Sequence, residues 1–300
     1  MRRVMVRNPQ SGSGTDSERA RELARERGID VRDTEGPGEA VTIARAAADE
    51  TDQVVACGGD GTVNEVVRGL DDADALGDVE LSVVPTGTGN GFAGNVGVDS
   101  VETAFDVLAD GPVRSLDLGM ADGRPFVESC MGGLVAEASE DTADESKRLF
   151  GSLAYILRTL AEAREFDGPA TTVTVGRSGD PVWTGEAQMI LLGNARRFLA
   201  EGRGQADVED GLLEVVIVEQ APAIDYLADD AMGRLFDRET THLVEFATQR
   251  LAVETAGEAM EFSLDGETVE RETLVATARE GALSVRVGDG YDPNPPVWPE

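Results

Sequence analysis

Val54-Val55-Ala56-Cys57-Gly58-Gly59-Asp60-Gly61-Thr62 joins an apolar run to a helical pattern with no spacer between them. Val63, Val66, Val67 and Leu70 follow at i, i+3, i+4 and i+7, which makes one helical face apolar. A buried strand, a glycine turn and an amphipathic helix in direct succession form the repeating unit of a parallel α/β sheet. Glycines at such a turn let the backbone pass close to a bulky anion. The helix behind them offers unpaired N–H groups and the positive end of its dipole. Asp60 repels phosphate, so its place in the turn makes sense through a cation, chiefly Mg²⁺. The stretch therefore predicts a nucleotide-phosphate site with a metal. A glycine turn carrying a solvated Asp is the plainer alternative.

The flanking sequence repeats the unit. Val4–Val6 reads as a strand, 16–27 as a helix with Ala20, Leu23 and Ala24 inward, and Ile29–Arg32 as a second strand. Ala40, Ile43, Ala44 and Ala47 mark another helix, and Leu81–Val84 a fourth strand before a second glycine-rich turn. Strands and helices in this order imply a parallel sheet covered on both faces, with ligands beyond the carboxyl ends of its strands. Asn8, Gly58–Thr62 and Pro85–Asn90 all follow predicted strands and should converge there. Asn64 and Glu65 fall on the first turn of the helix after Gly61, where Glu65 would complement its dipole.

From about residue 112 the pattern changes. Arg114–Leu118, Phe126–Cys130, Thr171–Val175, Ala187–Leu192, Leu212–Val218, Leu243–Val253, Met260–Leu264 and Leu274–Ala278 read as strands of an antiparallel sandwich. Helical patterns at 145–165 and 222–236 interrupt it. The expected organisation is an α/β domain over 1–112, a mainly antiparallel β-sandwich domain over 113–288 and a tail over 289–300.

Charge describes the solvent better than the partners. The chain carries 58 acidic against 26 basic residues, a net charge of -32, and Lys147 is its only lysine. So much like charge opposes compaction unless salt screens it, and in molar salt the screening length falls to about 3 Å. This is the composition of a halophilic protein from a salt-accumulating, haloarchaeal-type cytoplasm. It argues against nucleic acid, which is bound by basic residues. Cys57 and Cys130 lack metal-ligand spacing, and His242, the one histidine, reads as the start of a strand. No apolar run is long enough to span a bilayer, so the sequence places the protein in the cytoplasm, with any membrane contact peripheral.

Two nucleotide motifs are excluded. Gly89–Gly94 is a formal G-x-G-x-x-G, but it follows the fourth strand, whereas a dinucleotide site needs it after the first. The phosphate loop that ends in Gly-Lys-Ser/Thr is absent.

Three segments together carry a resemblance: NPQSGSG at 8–14, GGDGTVNEV at 58–66 and PTGTGNGFA at 85–93. In that order and spacing they resemble the diacylglycerol kinase catalytic domain family, which includes bacterial soluble lipid kinases and sphingosine kinases. Gln205–Leu213 resembles the family's acidic D-G-x-L segment, and Phe262–Glu267 its late D-G-E segment. The resemblance implies an ATP-dependent lipid kinase with an N-terminal domain like that of NAD kinases and phosphofructokinases. It implies nucleotide contacts from Asn8, Ser11, Gly58, Gly59, Asp60, Gly61, Thr62, Thr86, Gly87, Thr88 and Asn90. Asp60 would help hold catalytic Mg²⁺, and Asp265 would take the proton of the lipid hydroxyl. Asp207, Asp210 and the Leu212 carbonyl match a structural Mg²⁺ site. The lipid would be met at the membrane surface by a cytoplasmic, transiently associated enzyme, and a homodimer is compatible with the sequence.

Other readings compete with parts of this. Asp265-Gly266 could be a hairpin turn, and Asp207 and Asp210 could be halophilic surface charges. Relatives commonly carry Asp where this chain has Gly91, and Arg where it has Gly94. Metal binding would then rest on Asp60 and Asp265, the donor specificity would differ, or turnover would be lost. The functional alternatives are an NAD kinase-like activity and a catalytically impaired nucleotide- or lipid-binding regulator. Leu149, Phe150, Leu153, Ile156 and Leu157 are candidate contacts for a lipid tail.

Overall fold

The computed structural model describes residues 1–12, 14–133, 170–176, 181–198, 205–220 and 242–295. The expected helices at 145–165 and 222–236, with the Leu149–Leu157 face, lie outside the described residues.

The first half is built as its periodicity requires. Its elements are β1 (Arg3–Arg7), α1 (Thr15–Glu26), β2 (Asp30–Asp33), α2 (Glu39–Ala48), β3 (Gln53–Gly58), α3 (Asp60–Asp72) and β4 (Glu80–Pro85). The strands lie in the order β2-β1-β3-β4 and pair in parallel. From β1 the chain passes to β2 on one side and to β3 on the other. The loops after β1 and β3 therefore flank the crevice where such sheets bind ligands. α2 packs on α3 and α1 on α5 (Val101–Asp110), as right-handed crossovers to opposite faces demand. α5 and the short α4 (Gly91–Asn95) add to the expected elements. α5 is nonetheless marked in the sequence. Ser100 accepts the Thr103 N–H as its N-cap, and Val101, Ala104, Phe105 and Leu108 form the buried face.

The second half is antiparallel. Its strands are β5 (Val113–Ala121), β6 (Arg124–Phe126), β7 (Ser129–Gly133), β8 (Ala170–Val175), β9 (Pro181–Gly193), β10 (Leu213–Glu219), β11 (Leu243–Thr248), β12 (Arg250–Thr255), β13 (Met260–Leu264), β14 (Glu267–Arg271) and β15 (Thr273–Arg286). β9 joins two ladders: its start pairs with β8, and Ala187–Gly193 lies between β7 and β10. Phe126, Ile190, Leu192, Val215, Leu251, Phe262 and Leu274 belong to the apolar cluster of this half. With β14, one strand more than expected, this is an antiparallel β-sandwich beside an α/β domain.

Three expected strands are cut differently. Leu243–Val253 breaks at Gln249, and its halves pair with different neighbours, β11 with β10 and β12 with β8 and β15. Phe126–Cys130 breaks at Val127-Glu128, because those amides turn toward the Asp265 carboxylate. Leu274–Ala278 continues to Arg286 past an irregularity between Arg279 and Leu283, where Gly281 is left-handed (φ 58°). Beyond that point Val285 pairs in parallel with Leu81 of β4. Leu283, Val285 and Val287 are buried in the same core as Val54, Val66 and Leu81. Each such side chain contributes roughly 1.5–3 kcal/mol of burial, so the last strand helps complete the core of the first half. No helix among the described residues is long and apolar enough to cross a membrane.

Candidate active site

A cleft of about 620 Å³ opens beyond the carboxyl ends of β1, β3 and β4. Asn8, Ser11, Gly12, Gly59–Thr62 and Gly87–Gly89 face it from the parallel sheet. Thr34–Pro37 and Glu65 close one end, and Met131, Arg196, Ser263 and Asp265 form the opposing wall. The glycines are required by close approach. A Cβ on Gly59 would stand 3.3 Å from the Gly87 Cα, and one on Gly12, itself left-handed (φ 58°), would run into the Thr86 carbonyl. Three loops can meet only because these positions lack side chains.

Of the predicted nucleotide contacts, Gly58, Thr86 and Asn90 sit behind this surface. The Thr86 N–H donates to the Gly58 carbonyl at 3.0 Å. Asn90, left-handed at φ 54°, accepts the Gly87 N–H at 3.0 Å and donates back to the Gly87 carbonyl at 2.7 Å. Its amide therefore shapes the second glycine turn. The Asn8 amide donates to the Cys57 carbonyl, and its side-chain oxygen accepts the Gln10 N–H, both at 2.9 Å. Asp60 begins α3, and its Oδ1 accepts the Phe92 N–H at 3.1 Å, tying the first glycine turn to α4.

Asp265 and Gly266 both have positive φ (49° and 95°), so the hairpin reading of Asp-Gly holds as backbone geometry. The side chain does more than turn the chain. Its Oδ2 accepts from the Val127 N–H at 2.5 Å and from Asn64 Nδ2 at 2.6 Å, and its Oδ1 from the Ser129 and Glu128 amides at 2.8 and 3.0 Å. Four donors match the acceptor capacity of one carboxylate. They also explain the break between β6 and β7, whose amides leave the ladder to bind it. Burial pushes the Asp265 carboxyl up and the hydrogen bonds pull it down, and burial prevails. The next acidic residue, Glu267, pairs with Arg68 of α3 and, at 2.6 Å, with Arg124 of β6, bridging the two halves.

Glu65 corrects an expectation. Its two carboxylate oxygens accept the Gly38 and Ala40 N–H groups at 2.9 and 3.2 Å, so it caps α2 and does not serve the dipole of its own helix.

Glu128 escaped sequence reasoning, although an ionisable residue in the otherwise uncharged Phe126–Cys130 run was a signal. Its Oε1 is buried with no hydrogen-bond partner. Burial, Asp60 and Asp265 hold its carboxyl well above the usual range, against a pull from Arg196. A Cβ on Gly91 would lie 2.7 Å from its Oε2.

The second predicted metal set is used locally. Asp207 accepts the Glu209 N–H at 3.1 Å and Asp210 the Leu212 N–H at 2.9 Å, through side-chain turns. Buried Asp117 receives the Gly211 and Gly281 amides beside them, at 2.7 and 2.8 Å. Among the described residues, no three His, Cys, Asp or Glu side chains group closely enough to hold a metal unaided. Mg²⁺ does not need such a cage, since it takes one or two carboxylates and completes its shell with water and substrate phosphates. Asp60 and the unpartnered Glu128 oxygen fit that description.

Known proteins show the same two-part arrangement. Residues 2–121 match the model of the diacylglycerol kinase catalytic domain, and residues 129–287 that of the YegS C-terminal NAD kinase beta sandwich-like domain. A probable lipid kinase YegS-like protein of Pseudomonas aeruginosa is 31% identical over 277 residues, covering 90% of this chain and 87% of the relative. The diacylglycerol kinase of Bacillus subtilis is 29% identical over 77% of this chain and 76% of its own. The crystal structure of a diacylglycerol kinase from Bacillus anthracis superposes with a TM-score of 0.72 at 18% identity, covering 97% of this chain and 98% of the other. That likeness shows the fold.

Proposed function

The chain belongs to the diacylglycerol kinase family of lipid kinases, and from that membership we propose that it transfers the γ-phosphoryl group of ATP to a hydroxyl of an amphiphile. The acceptor is a diacylglycerol-like, ether-lipid or sphingoid molecule met transiently at the membrane surface from the cytoplasm. The observation that carries this reading is the meeting of three glycine turns, far apart in sequence, with Asp265 in one cleft.

Each residue has work suited to its chemistry. Backbone amides of Gly59–Gly61, Thr88 and Gly89 bind phosphate oxygens, with Asn8 and Ser11 beside them. Those of Thr62 and Gly87 already donate to the Gly59 carbonyl and to Asn90. Asp60 is the residue that would hold Mg²⁺ beside the donor's phosphates, where such an ion would supply neutralisation of the phosphoryl charge. Arg196, the one basic side chain among the described cleft residues, adds positive charge where a lysine is lacking. Asp265 takes the acceptor's proton, the hydroxyl displacing Asn64 from Oδ2. Its raised proton affinity favours that role. Asp207, Asp210 and the Leu212 carbonyl are all-oxygen ligands suited to a structural Mg²⁺.

The test is an incubation with γ-labelled ATP and Mg²⁺ in molar KCl, with extracted lipid and separately with NAD. Label in the organic phase is the expected result. Label on NAD alone, or nucleotide binding without transfer to either acceptor, refutes the proposal.

A further inference from the structure

Glu128 does not line the cleft itself, but its carboxylate lies beside it, next to Gly91 and near Asp60 and Asp265. Neither the glycine turns nor the Asp265 turn explains it. Its side chain spans from the break between β6 and β7 to the start of α4, where a Cβ on Gly91 would come within 2.7 Å of Oε2 and 3.3 Å of Oε1. Gly91 has no left-handed φ, so the backbone there does not call for glycine. A side chain there would have to push aside the Glu128 carboxylate, which occupies the space. Oε1 is buried without a partner, and Asp60 and Asp265 both repel the group. A buried anion facing two others is costly unless a cation joins them.

We propose that Glu128, with Asp60, faces the magnesium ion of the bound nucleotide, and that Gly91 is the vacancy that admits it. This rests on the nucleotide reading above. Glu128 and Gly91 form a matched pair: a side chain at 91 would displace the Glu128 carboxylate from its present position.

The experiment measures binding of a non-hydrolysable ATP analogue to the full chain in molar KCl, with and without Mn²⁺, alongside the melting temperature. Wild-type protein should bind the analogue more tightly with Mn²⁺. Glu128→Gln keeps the shape and removes the charge, and should lose about 10- to 100-fold of the Mn²⁺-dependent affinity while keeping the metal-free affinity. Gly91→Asp alone should lower the melting temperature, since it crowds one carboxylate against another. Gly91→Asp combined with Glu128→Ala moves the carboxylate to the other wall and should recover most of the Mn²⁺ dependence, which Glu128→Ala alone should not. Full Mn²⁺ dependence in Glu128→Gln overturns the assignment and leaves the nucleotide reading standing. So does an equal loss without metal, or a double variant that melts like wild type yet stays insensitive to Mn²⁺. A wild-type chain that does not bind the analogue overturns both.

Discussion

On the cleft wall made by the ends of β1, β3 and β4, most of the facing groups are backbone amides and small polar side chains, set within a few residues of strands that the sequence announces. The opposing wall is different in kind. Asp265 is oriented by the amides of Val127, Glu128 and Ser129 and by Asn64, which is 201 residues away in sequence. One wall is made by leaving side chains out, and at Gly12 and Gly87 it has no room for an added Cβ. The other is made by placing charge, and it depends on every partner that holds the charge in line. Steric demands are local and survive in motifs. Electrostatic demands are met by whichever segment folds alongside, as the amides of Val127, Glu128 and Ser129 meet the Asp265 carboxylate.

Changes to the charged wall should have the largest effect. Asp265→Asn removes the proposed base, and transfer should fall by about 10²–10⁴-fold. It should also lower the melting temperature. The new NH₂ faces N–H donors on either side, and each stranded donor costs about 1–3 kcal/mol. Transfer per folded molecule at the wild-type rate would remove Asp265 from the chemistry. The glycine wall is probed by Gly12→Ala set against Gly14→Ala. Both glycines are left-handed, but a Cβ at 12 meets the Thr86 carbonyl and one at 14 meets nothing within 4 Å. Gly12→Ala should weaken nucleotide affinity about tenfold, equivalent to ~1.4 kcal/mol, and Gly14→Ala should leave it near wild type. Equal losses would show that conformational strain, and not the close approach, governs this wall. The smallest effect is expected at the bridge between the halves. Arg68→Ala leaves Glu267 its Arg124 partner, and both members of the lost pair are partly exposed. A stability loss of about 0.2–1 kcal/mol in a denaturant titration is expected. A loss several times larger would mean that this pair sets the position of the Asp265 turn.

Much of the first wall was legible before folding. Apolar runs ending in glycine, with amphipathic helices behind them, gave β3, α3 and the loops after β1 and β4 nearly in place. Asp265 was legible through the late Asp-Gly-Glu segment, though the same two residues also make a hairpin. Asn64, the cap that Glu65 gives to α2, and Glu128 were not marked as site residues. Their partners come from other elements, and no periodicity encodes a meeting of residues 64, 127 and 265. The second glycine turn was only half legible: Asn90 looks like a phosphate ligand, yet its amide is spent holding Gly87.

The sequence by itself determined the α/β order of the first half, its glycine turns and the acidic, lysine-poor surface, because these follow from spacing and composition along a short stretch of chain. Only the tertiary structure decided that Val285 pairs with Leu81 and that the amides of residues 127–129 leave their strand for Asp265. It alone decided that Glu128 fills the space above Gly91. Those outcomes depend on which buried donors and carboxylates must be satisfied once distant segments exclude water together.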